Sequence, residues 1–534
     1  MGAFGHNLKM KTHTFAILVL FCVVLRAMAA PDDKTVFNVR GYGAVGDGTN
    51  LDSPAINQAI LAAAAAGGGT VLVPAGTYLC GSIRLTNNIH LFLDAGAVLL
   101  GAPQAMNAYD PTEAWSGQAY QDGGHTYFHN SLIWGENLTN VSITGTGMIN
   151  GGGLVRSDGL LDQMCGFSNW NPTNRTPPLV MNAPPARLGN KAIALKLCRN
   201  VLLRDITIFH GGHFAILVTG CNNLTVDNVT IDTDRDGIDL DCCCNTTVSD
   251  CRINSPNDDG LCPKSSFALG RNVTTENLTI ANCQVSGFQE GTLLDGTMKP
   301  GHGTGRIKFG TEANGGFRNV TIANCTFRDC CGLALEEVDG GTMENISINN
   351  ISMMDVVGYP IYITTGRRNR GPDVTSPSRV ANIFISNVVA TGIDPMSGIQ
   401  LSGMPKQPLE NIRLENIHLL FKGGGTKSDA LLLPRELDTG YPEPSRLGTM
   451  PAYGLYARHV RGLELANITV AVEKLDSRPP MACFDVDGLE IDNFKGQLMR
   501  GVQPAKFVVV DDVVIRNSPI FDSMTDNTDN TPTQ

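Results

Sequence analysis

Two consecutive stretches, NVTIDTDRDGIDLDC at residues 228–242 and NTTVSDCRINSPNDDGLCPKS at residues 245–265, are built from the same parts in the same order. Each starts with Asn, alternates polar with β-branched residues, turns, and ends in a second alternating run. The pattern returns in NLTIANCQVSG from 277, NVTIANCTFRDCCGLALEEVDGG from 319, NISINNISMMDVVGYPIYITTG from 345 and NIFISNVVATGIDPMSGIQLSG from 382. Repeats at spacings of about 20–40 residues indicate a solenoid. Short alternating runs with no helical period between them predict an all-β chain, wound as a single-stranded right-handed parallel β-helix in which each coil buries its inward residues on its neighbours.

Working outward, NNIHLFLDAGAVLLG at 87–101 and NVSITGTGMING at 140–151 carry the pattern back to about residue 70. The predicted β-helix therefore covers 70–520, with insertions near 287–304 and 422–452. Residues 31–69 form an N-terminal segment whose one clear helix, from Ser53 to about Ala66, has an Asp-Ser start and a Gly-rich stop and is read as a cap on the first coil. Residues 1–30 read as a signal peptide: Lys11, an apolar run from Phe15 to Leu25, then small residues. Residues 521–534, polar and ending in TDNTPTQ, read as a disordered tail. The expected product is exported, to the periplasm or outside the cell, and not held in a membrane after signal removal.

The net charge of −11 excludes a general nucleic-acid binder and makes any anionic ligand depend on a local basic patch. Cys198, Cys221, Cys251, Cys283 and Cys325, among 15 cysteines, recur at matching places in the repeat, as stacked small core side chains would. Many of the Asn-X-Ser/Thr triplets are likewise products of the repeat.

Aligning the second run of successive coils gives DGIDLD from 236, DGLCPK from 259, GRIKFG from 305, CGLALE from 331 and YPIYIT from 359. Ile238, Leu261, Ile307, Leu333 and Ile361 fall in one column and Leu240, Pro263, Phe309, Leu335 and Ile363 in another, so both columns point inward. Asp239, Asp241, Cys262, Lys264, Arg306 and Lys308 are then expected to line one outer face. Asp236 and Asp259 sit in equivalent places one coil apart, with Asp258 beside them. Coils ~4.8 Å apart must bring these three carboxylates together, and crowding splits their pKa values. An acid and a base in one place suit glycosidic hydrolysis; an aspartate ladder or a calcium site suits the same residues.

Several of these features together resemble glycoside hydrolase family 28, the polygalacturonase-like pectinases, over Phe37 to about Leu498. Asp234-Arg235-Asp236-Gly237 looks like the family's Asn-Thr-Asp-Gly motif, and Asp258-Asp259 like its Asp-Asp pair. The resemblance implies inverting hydrolysis of an acidic plant-type polysaccharide, pectin, with Asp258 as general acid and Asp236 and Asp259 activating water. It implies no metal and no cofactor, and a monomer is expected. The family's Gly-His-Gly and Arg-Ile-Lys motifs occur as Gly301-His302-Gly303 and Arg306-Ile307-Lys308, but one coil out of register, with His302 in the first insertion. Arg306, Lys308, His302, Lys264 and Asp239 are the candidate substrate-binding residues. Arg235 is a further candidate, and Glu336 and Glu337 are candidates for contacts to neutral sugar hydroxyls. The two insertions are placed to close one end of a groove.

Two rivals use the same residues. A calcium-dependent pectic lyase would hold its metal in the acidic cluster, and a noncatalytic carbohydrate-binding or adhesive β-helix would bind without cleaving. Inverting hydrolysis predicts Asp258 ~6.5–9.5 Å from its partner carboxylates, with room for a water between; contact of all three groups would favour a metal.

Overall fold

The computed structural model describes residues 1–2, 35–113, 125, 127–156, 188–301, 303–371, 374–395 and 398–525. The expected signal peptide from residue 3 onward, His302, and the expected tail from residue 526 onward lie outside them.

The chain winds as a parallel β-helix with three strands per coil through its central part. One coil consists of Asp236–Asp241, Cys244–Ser249 and Arg252–Asn254, and each strand pairs in parallel with its counterpart in the next coil. Further along, the second and third strands merge, as in Thr342–Met354 and Arg379–Ile393. The predicted columns are the observed register: Ile238 pairs with Leu261, Leu261 with Ile307, Ile307 with Leu333 and Leu333 with Ile361. All five side chains are buried in one core that runs the length of the solenoid. Each contributes roughly 1.5–3 kcal/mol of transfer free energy, and a one-residue slip would turn the entire column outward.

Winding starts earlier than expected from the sequence. Val36–Asn38 already pairs in parallel with Gly69–Val73, so the N-terminal segment supplies the first strand and is not a separate cap alone. Helix α1, Ser53–Ala65, buries Ile56, Ala59, Ile60 and Ala63, the i, i+3, i+4, i+7 stripe that packs on this coil. The carboxylate of Asp52 accepts hydrogen bonds from the Val45 and Gly46 amides at 2.7 and 3.0 Å, so it ties down the preceding loop and does not cap the helix. At the other end, Pro519–Phe521 and Asp522–Thr525 are short helical turns and Phe521 is buried, so the tail predicted from 521 begins with ordered residues. Among the described residues no helix is long and apolar enough to cross a membrane.

Asparagine recurs within each repeat for a reason visible at the corners. Asn282, Asn324, Asn350, Asn387, Asn416, Asn467 and Asn493 all have φ between 54° and 58°, the left-handed region that costs most side chains about 1–2 kcal/mol. From Asn324 onward, each donates its amide to the carboxamide oxygen of the asparagine one coil before, at 2.8–3.2 Å. A second ladder runs through Asn245, Asn277 and Asn319, all three of them sequon asparagines. The thiols behave as expected: among the described residues the cysteines are unbridged and mostly buried. A hydrogen bond that the Cys283 thiol gives to Cys251, with burial, pushes this thiol up to about 12.

The corner ladder can be tested at Asn324. Asn324→Ala loses both ladder bonds and must hold an unfavourable φ, and is expected to lower unfolding free energy by about 2–4 kcal/mol in denaturant titration. Asn324→Gly, which keeps the backbone, should cost about half of that; equal losses would show that backbone conformation contributes nothing at this corner.

Candidate active site

The site lies on the outer face of five successive strands: β1 (Asp236–Asp241), β2 (Leu261–Lys264), β3 (Ile307–Phe309), β4 (Leu333–Glu337) and β5 (Ile361–Thr365). Asp236 opens β1, and Asp258-Asp259 stand on the turn just before β2. That turn is fixed from below, because Ser255 Oγ donates to the carbonyls of Arg235 and Asp258 at 2.6 and 3.0 Å. It is fixed from the side by the Gly305 amide, which donates to the Asp258 carbonyl at 2.9 Å where the first insertion rejoins the coil.

The three carboxylates converge more tightly than predicted. One oxygen of each of Asp236, Asp258 and Asp259 lies within 4.8 Å of the others, well inside the separation expected for inverting hydrolysis. The cause is a single donor. The Asp259 amide gives its hydrogen to both Asp236 Oδ1, at 3.0 Å, and Asp258 Oδ1, at 3.1 Å, and draws the two side chains together. Exposure then separates them: Asp236 and Asp259 are 4% and 1% exposed, whereas the side chain of Asp258 keeps 25%.

Cations supplied by the chain surround the cluster. Arg306 Nε donates to Asp259 Oδ1 at 2.6 Å and Lys308 Nζ lies 3.1 Å from Asp259 Oδ2. Arg235 pairs with Asp258 at 2.8 Å. Burial works to raise Asp259, but the charges of Arg306, Lys308 and Lys264 outweigh it and hold this carboxyl well below the usual range. Asp236 goes the other way: burial, then the negative charges of Asp258 and Asp239, push it well up. The predicted grouping of Asp236 with Asp259 therefore holds in position but not in charge. Asp259 is a fixed anion, whereas Asp236 binds a proton more readily than a free carboxyl does.

The second insertion covers part of this outer face. Lys264, Arg306 and Lys308 are 5%, 2% and 2% exposed and Asp239 is fully buried. Between Gly423 and Leu455 the chain leaves the coil and folds back as a roof, in which Leu447, Met450 and Ala452 pack on outward-facing Ala334, Tyr359 and Tyr362. Glu443 of this roof forks onto Arg306, with Nη1–Oε1 3.0 Å and Nη2–Oε2 2.9 Å, and the Tyr441 hydroxyl lies 3.3 Å from Lys308 Nζ. Asp239 pairs with Lys264 at 3.7 Å, and Lys264 with Glu312 at 3.3 Å. Glu312 in turn meets Arg370 at 3.1 Å and Arg368 at 3.7 Å. Glu336 and Glu337 are fully buried, so neither reaches a sugar hydroxyl as the structure stands.

Glu443, Tyr441, Tyr359, Glu312, Arg368 and Arg370 belong to the site and were not anticipated. Glu312 carried a signal inside GTEANGG directly after the Arg-Ile-Lys coil, and Tyr359 opens the aligned YPIYIT run. Tyr441, Glu443, Arg368 and Arg370 come from loops far along the chain, where no period marks them.

Three carboxylates at this spacing are also a donor set for a divalent cation. Here, however, Asp259 already holds two cationic side chains and Asp258 a third, and a dication would have to enter against all of them.

With this geometry established, comparison with known proteins gives the following. Residues 36–262 match the family model described as rhamnogalacturonase A/epimerase, pectate lyase-like, and residues 191–403 match the right handed beta helix region. A probable polygalacturonase of Vitis vinifera is 25% identical over 404 residues, 71% of this chain and 74% of that protein. A plasmin and fibronectin-binding protein A of Streptococcus pneumoniae is 30% identical over 200 residues, 37% of this chain and 24% of that protein. The solved exopolygalacturonase of Thermotoga maritima is 21% identical, with a TM-score of 0.56 covering 72% of this chain and 87% of that one. The chain thus has the right-handed parallel β-helix fold of polygalacturonase-type proteins.

Glu336 gives the site a measurable pH signature. Burial pushes its carboxyl up to about 7, against the pull of Lys308 and Arg306. A folded-state pKa raised above the unfolded ~4.3 means that this group's contribution to stability is fully present below that value and is lost as pH rises through about 7. Glu336→Gln should abolish this decline, worth on the order of 3 kcal/mol, in denaturant unfolding compared at pH 4.5 and 8. A wild-type-minus-variant difference that does not change with pH would refute the raised pKa.

Proposed function

We propose that the protein is an exported glycoside hydrolase of the family 28 type, cleaving a galacturonosyl linkage in pectic polysaccharide by inverting acid–base hydrolysis. The observation that carries this reading is the split within one carboxylate cluster: a fixed anion, Asp259, beside Asp236, which burial and the neighbouring negative charges push well up, with only Asp258 of the three reaching solvent. Such a split puts an acid and a base side by side at one pH. The relative from Vitis vinifera, named a probable polygalacturonase and matching over most of both chains, supports the substrate class.

Asp258, the exposed member, delivers the proton to the leaving glycosidic oxygen as the bond from that oxygen to the anomeric carbon breaks. Water bonds to the anomeric carbon from the opposite face and its proton goes to Asp236, whose basicity burial raises; substrate entry must first part Asp236 from Asp258, whose oxygens stand within 4.8 Å of each other in the structure. Proton return from Asp236 to Asp258 restores the resting state. Asp259, held ionised by Arg306 and Lys308, opposes the positive charge that develops on the sugar ring. Arg306, Lys308, Lys264 and Asp239 act on substrate through this field and through positioning the carboxylates. Both insertions border the site, which favours attack near chain ends.

The adhesive reading draws on the Streptococcus pneumoniae relative, which matches 37% of the chain. Reducing-sugar release from polygalacturonate and from rhamnogalacturonan separates the possibilities. Wild type should release reducing ends without new ultraviolet absorbance and without loss on chelation, and Asp258→Asn should lower the rate ~10²–10⁴-fold. Unsaturated product that vanishes with chelator would establish a lyase, and binding without cleavage an adhesive protein.

A further inference from the structure

The third strands of successive coils, Arg252–Asn254, Gln284–Ser286, Thr326–Arg328 and the end of Thr342–Met354, form a different face of the solenoid from the strands of the candidate site. In register, Arg252, Gln284, Thr326 and Ser352 stack in one outward column, and Ser286, Arg328 and Met354 in the next. The first insertion rises from this face as a wall, and wall and strands bound a groove of about 300 Å³, the lower end of small-molecule site volumes. A buried anion holds the wall in place. The fully buried carboxylate of Asp232 accepts hydrogen bonds from the amides of Gly291, Leu293 and Leu294 at 3.0–3.1 Å and from Asn254 Nδ2 at 2.9 Å. Leu293 and Met298 of the wall and Met354 of the floor make one side apolar, and the two methionines are 43% and 51% exposed, open to a ligand. The charged lining residues are Arg252 and Arg328, and among the described residues neither has a carboxylate partner. Arg204, Arg318, Arg379 and Arg413, exposed on other strands of this acidic chain, each have one. Arg328 rests its guanidinium face over the Phe288 ring, 5.7 Å from the centroid, a contact that positions the group and leaves its N–H edge unspent. The two arginines stand two coils and two residues apart, roughly 12 Å between Cα atoms, and so bracket the groove. A carboxylated sugar matches every part of this lining: charge for the arginines, hydroxyls for Gln284, Thr326 and Ser352, and a C–H face for Leu293 and Met298. A small oxyanion would use the arginines and leave the wall idle.

We propose that this groove is a second, noncatalytic binding site for a carboxylated sugar residue of an acidic polysaccharide, with Arg252 and Arg328 as its anion-binding residues. Its floor strand Arg252–Asn254 runs into the turn that carries Asp258, and the insertion that walls it rejoins the coil at Gly305, whose amide donates to the Asp258 carbonyl at 2.9 Å. An acidic chain held in the groove is thereby tethered at the first insertion, next to the carboxylate cluster. Binding there needs no cleavage, so the assignment goes beyond the hydrolytic reading and does not depend on it.

The test counts bound ligand by calorimetric titration of trigalacturonate into the full chain carrying Asp258→Asn, which prevents turnover. Adding Arg252→Gln and Arg328→Gln together is expected to remove one equivalent of bound trimer per chain. Met298→Asp sets a carboxylate on the wall at a φ of 46°, a conformation that aspartate tolerates, and should remove the same equivalent with both arginines intact. The melting temperature of each variant shows that it is folded. The carboxyl-reduced, neutral trimer should bind the groove at least tenfold more weakly, and equimolar inorganic phosphate should leave the trigalacturonate equivalent in place. A number of bound trimers unchanged by the two arginine substitutions, an equal loss for the neutral trimer, or displacement by phosphate overturns the proposal. Turnover is measured separately with Asp258 intact. Cleavage of neither pectic polymer together with loss of the one equivalent leaves the groove standing and removes the hydrolytic reading. Cleavage with an unchanged number of bound trimers does the reverse.

Discussion

The spacing between stacked coils governs everything at this site. Parallel strands lie ~4.8 Å apart, so a charge on one coil faces the residue at the same register one coil away at ion-pair distance, whatever that residue is. The chain answers by changing sign as the coils advance. Asp236 and Asp239 on one coil are followed by Asp259 and Lys264, then by Arg306 and Lys308, then by Glu336. These charges meet on the diagonal, since in register Asp239 faces Cys262 and Lys308 faces Ala334, and each carboxylate's protonation follows from its diagonal neighbours. Asp259 has cations on the next coil and stays ionised, whereas Asp236 has acids beside it and is pushed up.

The register was legible because it obeys a period. Inward columns of Ile and Leu repeat every coil, and a one-residue error would expose all of them, so lining up Ile238 with Leu261 and Ile307 admits one solution. The same logic placed Arg306 and Lys308 beside Asp259. It could not give depth. Alternation distinguishes inward from outward and nothing more. Whether an outward face meets water depends on what else folds over it. The roof residue Glu443 reaches Arg306 from 137 positions away, through a Gly- and Pro-rich insertion with no period. Contacts of that kind leave no pattern to read. The carboxylate separation failed for a related reason: the shared Asp259 amide that closes the cluster is a backbone donor, and side-chain columns do not show where backbone hydrogens point.

The roof also changes the strength of what it covers. Arg306, Lys308 and Lys264 lose nearly all contact with solvent, and each buried ion costs several kcal/mol of hydration that pairing only partly returns. A chain with so long a hydrocarbon column does not need these pairs to fold. Leucines at the same outward positions could pack against Leu447 and Met450 at less cost. Dry, mutually opposed charges are therefore better explained by chemistry than by stability. In the low local dielectric they fix one carboxylate as an anion and leave its neighbour able to hold a proton, a separation that solvated aspartates 4.8 Å apart would largely lose to screening.

That reasoning extends to Glu443. Were the roof needed only to exclude water, its apolar contacts with Ala334, Tyr359 and Tyr362 would suffice, and an amide or hydroxyl could approach Arg306. A bidentate carboxylate is the strongest partner that a guanidinium can be given, and it completes neutralisation of a pair of cations that otherwise carry net charge toward solvent. Net positive charge beside the carboxylate cluster would draw in any acidic polymer, whatever its register.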